Sequence, residues 1–217
     1  MFLYYITDRT QLSKDFRQAT ALLLERIAAA AKAGIDAIQI REKDLSTREL
    51  IDLSTQATEI VRRENAVSSS KIQTRLLINS RVDVSIASGA DGVHLRSDDL
   101  SPAEARSVFL RAGAVRPVIA VSCHSAREVE LAEGEGADFA VFGPVFEKSG
   151  HRAPSGLAAL HQACSRRAAR PPMPVLALGG VSLTNAAECI HIGAAGIAAI
   201  RLFQHGSIAE TISRLKG

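Results

Sequence analysis

The chain predicts an α/β fold, a single (β/α)8 TIM barrel, on three observations. Eight short apolar runs have strand length, amphipathic stretches of helical period separate them, and five of those stretches open on helix-capping boxes. The first strand is expected at Phe2–Thr7, an apolar and aromatic run that opens the chain. A helix follows over Ala19–Lys32, where Leu22, Leu23, Arg26, Ile27 and Ala30 fall on one face. The second strand, Ala37–Arg41, is followed by the box Ser46-Thr-Arg-Glu49. Ser68-Ser-Ser70 reads as a surface loop leading to the third strand, Arg75–Asn79. The fourth strand, Gly92–Leu95, precedes the box Ser101-Pro-Ala-Glu104, and the fifth, Pro117–Ser122, precedes Ser125-Ala-Arg-Glu128. The sixth, Phe139–Gly143, runs into the longest strand-end loop, residues 145–154. Pro171-Pro172 introduces the seventh, Pro174–Gly179, which is followed by Asn185-Ala-Ala-Glu188. The eighth, Gly196–Leu202, ends before Ser207-Ile-Ala-Glu210. Near-continuous apolar strands alternating with helices imply a parallel sheet covered on its outside. A doubly wound open sheet is the competing arrangement. No repeat is evident beyond the strand–helix alternation.

Composition narrows the function. With 217 residues, 47% of them hydrophobic, the chain can bury a core without disulfides or metal, and nothing asks for a second domain, so residues 1–217 are expected to form one. Twenty-six basic residues against 23 acidic ones leave little net charge, which argues against nucleic acid as the main partner. Cys123, Cys164 and Cys189 have no metal or redox spacing, and an odd number suits a reducing compartment. No basic leader precedes the first strand and no apolar run has membrane-spanning length. A soluble cytoplasmic protein without a membrane partner is the expectation, with monomer and homo-oligomer both open.

In a barrel, chemistry belongs to the loops leaving the C-terminal strand ends. Those ends carry Thr7-Asp8-Arg9, Arg41 to Asp44, Asn79-Ser80-Arg81, Arg96 to Asp99, Ser122-Cys123-His124, the loop from Gly143 to Arg152, Gly179-Gly180 and Arg201. Cations and hydrogen-bonding groups dominate, so an anionic ligand fits better than an apolar one. Gln39, Arg41 and Lys43 alternate along the second strand and can share a face; the two cations need an anionic ligand, or Glu42 and Asp44 as partners. Gly179-Gly180 is either a phosphate cradle helped by a following helix start or simply a tight turn. Asp98 and Asp99 offer a carboxylate for Mg2+ bound with substrate phosphates, or a helix cap. His124 is a general base or a structural hydrogen bonder, whereas His94, inside the fourth strand, reads as packing. Lys148, His151 and Arg152 give the sixth loop the charge of a cover over an anion, with a solvated loop as the alternative.

Taken in order, Gln39-Ile-Arg-Glu-Lys43, Asn79, Gly92-Val-His-Leu95 to Asp99, Val121-Ser-Cys-His124, Phe142-Gly-Pro-Val-Phe146 and Leu178-Gly-Gly-Val181 resemble the thiamine phosphate synthase and thiazole tautomerase superfamily. The resemblance runs through essentially the whole chain. It implies an enzyme that joins an aminopyrimidine diphosphate to a thiazole phosphate with Mg2+, releasing pyrophosphate. By that resemblance the segment Gln39, Ile40, Arg41, Glu42 and Lys43 holds the pyrimidine diphosphate, Asn79 and Ser122 contact the same substrate, and Asp99 binds the metal. Lys148 and His151 belong to the substrate loop, and Gly180, Ile200 and Arg201 hold the thiazole phosphate. Arg41, Lys43, Ser122 and His124 form the implied catalytic set. Preorganised cations can stabilise a departing pyrophosphate without a nucleophilic side chain. The chain departs from the synthase pattern in three places. Ser80 stands where a second metal-binding Asp is usual, Lys148-Ser149-Gly150-His151 replaces a hydroxyl-rich stretch, and Arg201 replaces a small hydroxyl residue. The tautomerase branch, an isomerase with His124 as base, is therefore the rival reading. A non-catalytic barrel that binds thiamine precursors is a third.

Overall fold

A computed structural model describes residues 1–68, 72–146, 154–165 and 172–217. Eight parallel strands close in sequence order: β1 (Phe2–Ile6), β2 (Ala37–Ile40), β3 (Arg75–Asn79), β4 (Gly92–Leu95), β5 (Val118–Cys123), β6 (Phe139–Phe142), β7 (Val175–Leu178) and β8 (Gly196–Ala199). The helices that follow them are α1 (Phe16–Lys32), α2 (Thr47–Val67), α3 (Val82–Ser88), α4 (Pro102–Arg111), α5 (Ala126–Gly134), α6 (Gly156–Cys164), α7 (Ala186–His191), α8 (Arg201–Gln204) and α9 (Ile208–Lys216). This is the barrel the alternation predicts, and the open sheet is set aside. By density of internal contacts the chain forms two compact units, Leu3–Val93 with Ile200–Gly217, and Met1–Phe2 with His94–Ala199. Among the described residues no helix is long and apolar enough to cross a membrane.

In the first unit β2 pairs with β1 and β3, setting Gln39 opposite Ile6 and Leu77. In the second, Ser122 of β5 lies opposite Val141 of β6, and Leu176 of β7 opposite Gly196 of β8. Gly196 has no side chain for a steric reason: a Cβ there would overlap the Phe2 carbonyl. That contact accompanies the Phe2 N–H donating to the Ala195 carbonyl at 2.9 Å.

The capping boxes are largely realised. Ser46 and Ser101 each accept from the N–H three residues on, while Glu49 and Glu104 reach back to the cap N–H. Ser125 and Ser207 accept from Glu128 and Glu210 N–H, though Glu128 reaches back to the Ser125 hydroxyl and the His124 N–H in place of the cap N–H. Asn185 is a correction: its side chain caps no helix. Its Oδ1 accepts from Ser182 N–H at 2.8 Å and its Nδ2 donates to the Gly180 carbonyl at 3.1 Å, so the amide is used to close the loop after β7. Helix α1 starts three residues before the expected Ala19, because Asp15 caps it by accepting from Gln18 N–H.

The structure also corrects the absence of a repeat. Gly34-Ile35-Asp36, Gly89-Ala90-Asp91 and Gly136-Ala137-Asp138 stand immediately before β2, β4 and β6. Each glycine has positive φ, at 76°, 66° and 81°, and the N–H after it closes the preceding helix by bonding five residues back. Each aspartate then accepts from a strand amide: Asp36 from Leu3 at 2.9 Å, Asp91 from Leu76 at 2.8 Å, and Asp138 from Ile119 at 2.7 Å. Each carries a cation as well, Lys216, Arg75 and Arg106 respectively. Before β8 the counterpart is Gly193-Ala194-Ala195, which keeps the turn and lacks the carboxylate. The period spans two strands, so consecutive strand–helix units do not share the motif.

A hydrogen bond to a charged acceptor contributes about 1.5–3 kcal/mol. Asp91→Ala and Asp138→Ala are therefore expected to lower unfolding free energy by about 2 kcal/mol each. Asp52→Ala, on the exposed side of α2, is expected to change it by less than about 0.5 kcal/mol. Urea denaturation midpoints measure the difference.

Candidate active site

Past Ile40, the last residue of β2, four charged residues of alternating sign follow, Arg41-Glu42-Lys43-Asp44, and the structure sorts them by side. Ile40 is buried in the core and Glu42 is buried as well, while Arg41 is half-buried and Lys43 is exposed. Glu42 was expected to touch substrate; instead it turns inward, because three donors wait there. Thr7 Oγ1 donates to Glu42 Oε1 at 2.5 Å, Arg9 N–H donates to Oε2 at 3.0 Å, and Arg9 Nη1 lies 3.4 Å from Oε2. The same guanidinium donates to both Asp44 oxygens, at 2.7 and 2.9 Å, and stacks over the Phe16 ring. Arg9 is only 3% exposed. Glu42 and Asp44 are thus partners of Arg9, and neither pairs with Arg41. Among the described residues the Arg41 guanidinium makes no ion pair or hydrogen bond, while its backbone N–H donates to Thr7 Oγ1 at 3.0 Å.

Gln39 and Asn79 come together as the sequence implies. Gln39 Nε2 donates to Asn79 Oδ1 at 2.9 Å, which leaves Asn79 Nδ2 pointing to Ser80 Oγ at 3.1 Å. Ser80 is the one non-glycine described residue with positive φ, at 61°. The expected extent of the eighth strand is corrected: β8 ends at Ala199, and the Ile200 carbonyl accepts from the Phe203 and Gln204 amides, so Arg201 opens the short helix α8 and is exposed. Gln204, buried, accepts from Tyr5 Oη at 3.2 Å and from Asp8 N–H at 3.1 Å, bracing the end of β1.

In the second unit the sequence reading of His94 needs correction. It is buried, but its Nε2 lies 2.7 Å from Ser122 Oγ, so it holds the Ser122 hydroxyl and is more than packing. The signal was its position in a strand whose four residues are all buried, where a polar ring needs a partner. Asp99 and Ser122 line one cavity of about 350 Å³. Its described lining carries Asp99, Glu104, Glu128 and Glu135 against Arg96, a balance that suits cations and repels a bare phosphate. Asp99 Oδ2 accepts from Arg96 N–H at 2.7 Å, and Asp98 pairs with the Arg96 guanidinium; Ser101, not either aspartate, caps α4. His124 is exposed, with Nδ1 2.5 Å from the Gly143 carbonyl. A carbonyl only accepts, so Nδ1 carries the proton and Nε2 holds the lone pair of the neutral ring.

Gly179 and Gly180 have φ of 95° and 65°, and a Cβ on Gly179 would run into Pro144. The helix expected directly after them is absent: α7 starts at Ala186 and has six residues, so it adds no dipole to the turn. Lys148 and His151 lie outside the described residues. For Mg2+, the described residues hold no group of three or more His, Cys, Asp or Glu side chains. One carboxylate, Asp99, fits a cation carried mainly by substrate phosphates and does not fit an all-protein cage.

Burial holds Glu42 above the ordinary carboxylate range against the donors that pull it down. Its contribution to stability is therefore complete below the ordinary carboxylate pKa and is lost as pH rises through the raised value. Arg9→Met leaves that carboxylate buried without its cation. A loss of about 3 kcal/mol is expected at neutral pH, shrinking at mildly acidic pH where Glu42 takes up a proton. Urea denaturation at the two pH values measures both.

Comparison with known proteins places these strand ends in one lineage. The family model described as thiamine monophosphate synthase matches residues 3–203. A thiamine-phosphate synthase of Methanoculleus marisnigri is 37% identical, over 91% of this chain and 85% of its own length. One from Chlorobium luteolum is 35% identical, over 88% and 84%. The solved structure of thiamine phosphate pyrophosphorylase from Pyrococcus furiosus superposes with a TM-score of 0.77 at 28% identity, covering 99% of this chain and 93% of that one. With its family model matched from β1 into α8, this chain belongs to the thiamine monophosphate synthase family.

Proposed function

We propose that this chain is a thiamine-phosphate synthase, a transferase that joins an aminopyrimidine diphosphate to a thiazole phosphate and releases pyrophosphate. The observation that carries the reading is Arg41, a half-buried residue just past the end of β2 whose guanidinium pairs with no described residue. A cation withdrawn from water in this way calls for an anion.

In the reaction the bond from the pyrimidine methylene carbon to its diphosphate oxygen breaks with the electron pair going to oxygen, and the thiazole nitrogen supplies the pair for the new bond. Negative charge grows on the leaving group. Arg41 and Lys43 stabilise that charge, and as fixed cations they need little reorganisation during the step. Gln39 orients the Asn79 amide toward the same substrate. His94 holds the Ser122 hydroxyl in one orientation, so that it meets substrate with its rotor already fixed. Asp99 would hold Mg2+, which when bound would neutralise diphosphate charge. Gly180 offers an exposed, side-chain-free backbone to the thiazole phosphate. One geometry favours a second reading: the free Nε2 lone pair of His124 suits the proton transfers of a thiazole tautomerase.

Purified protein given both substrates with Mg2+ is expected to form thiamine phosphate. Arg41→Ala and Ser122→Ala are each expected to lower kcat/KM by roughly 10² to 10³-fold. No product from the wild type, together with isomerisation of a thiazole carboxylate phosphate that disappears in His124→Ala, would establish the tautomerase instead.

A further inference from the structure

Among the described residues, the buried cluster beside β2 reaches the cations assigned to substrate through the Arg41 backbone and not through their side chains. Thr7 Oγ1 has one proton and gives it to Glu42. Its lone pairs are thereby turned to the Arg41 N–H, which donates to them at 3.0 Å. Glu42 is in turn fixed by Arg9, through the backbone N–H at 3.0 Å and through Nη1. Arg9 reaches onward to Asp44, two residues past Glu42. The peptide from Arg41 to Asp44 is therefore fastened at its first, second and fourth residues to Thr7 and Arg9.

The side chains left outside this fastening are Arg41 and Lys43. β2 ends at Ile40, opposite Ile78 of β3, and on its β1 side the Thr7 N–H donates to the Gln39 carbonyl at 2.9 Å; past these pairings the chain would otherwise be free to fray. An interior carboxylate is a costly way to hold a loop, since a buried ion must recover its lost hydration from neighbours. Its use here, with Thr7 0% and Glu42 6% exposed, marks a place where position matters.

We propose that Thr7, Glu42 and Arg9 form a positioning clamp that fixes the Arg41–Asp44 backbone and so aims Arg41 and Lys43 at the diphosphate. This rests on the reading of those two cations given above. Thr7 is the positioning residue that can be tested most cleanly, because valine keeps its shape and removes its hydroxyl, whereas serine keeps the hydroxyl. A displacement of about 1 Å at a binding group can cost roughly 10²-fold in rate.

The experiment measures calorimetric affinity for inorganic pyrophosphate, with Mg2+, beside kcat/KM and melting temperature. Thr7→Val is expected to weaken pyrophosphate roughly tenfold and to lower kcat/KM by roughly 10²-fold, with Thr7→Ser restoring both to within roughly threefold of the wild type. Should Thr7→Val fail to fold, Glu42→Gln, which keeps the packing and loses the ionised acceptor, is expected to move both quantities in the same direction. Wild-type pyrophosphate affinity in folded Thr7→Val, or in folded Glu42→Gln, overturns the clamp. So does a Thr7→Ser variant no better than Thr7→Val. A wild type that binds pyrophosphate but makes no thiamine phosphate overturns the assigned reaction, and the affinities of the variants still decide the clamp. A wild type that does not bind pyrophosphate overturns both.

Discussion

Every residue of β2, β4, β6 and β8 is buried, and that constraint governs where this chain can keep polar groups. A parallel sheet covered by helices offers water on neither face, so a polar side chain within a strand must bring its own partner. Gln39 in β2 and His94 in β4 meet the condition in the same way. Gln39 bonds Asn79 and His94 bonds Ser122, and both recipients belong to the residues assigned to substrate. The interior polar groups therefore act as supports for the groups at the strand ends.

The two ends of the strands use charge for different purposes. Before β2, β4 and β6, an aspartate accepts a neighbouring strand's N–H and pairs with a surface cation, and the glycine two residues earlier closes the preceding helix. Each of these carboxylates is thus tied both to a backbone N–H and to a cation of the chain itself. After β2 the pattern differs: the inward carboxylate is paired, while Arg41 is left with no described partner. Satisfied charge at the start of a strand serves stability, and unsatisfied charge past its end is available to an anion.

Much of this was legible in sequence. The strand runs were found because full burial makes them continuously apolar, and Ser46 and Ser101 were identifiable as caps because capping depends on a local three-residue spacing. The same local rule failed at Asn185, where the amide found closer partners in Ser182 and Gly180. Reading strand from an apolar run failed at Arg201, where the run continues through Leu202 although the backbone has already turned helical at Ile200. Arg9 shows a different failure. It counts among the strand-end cations that together suit an anionic ligand, yet it is buried against Glu42 and Asp44, which lie more than thirty residues away.

The sequence by itself determined the succession of strands and helices, most of the caps and the family, because each depends on residues close together in the chain or on motifs kept in order. Only the tertiary structure decided which charged side chains are spent on one another. It turned Glu42 inward and left Arg41 outward, although the two are adjacent, because the donors that claim Glu42 arrive from the end of a different strand. Periodicity reports which side of a strand a residue occupies, and electrostatic pairing is settled by what that side meets.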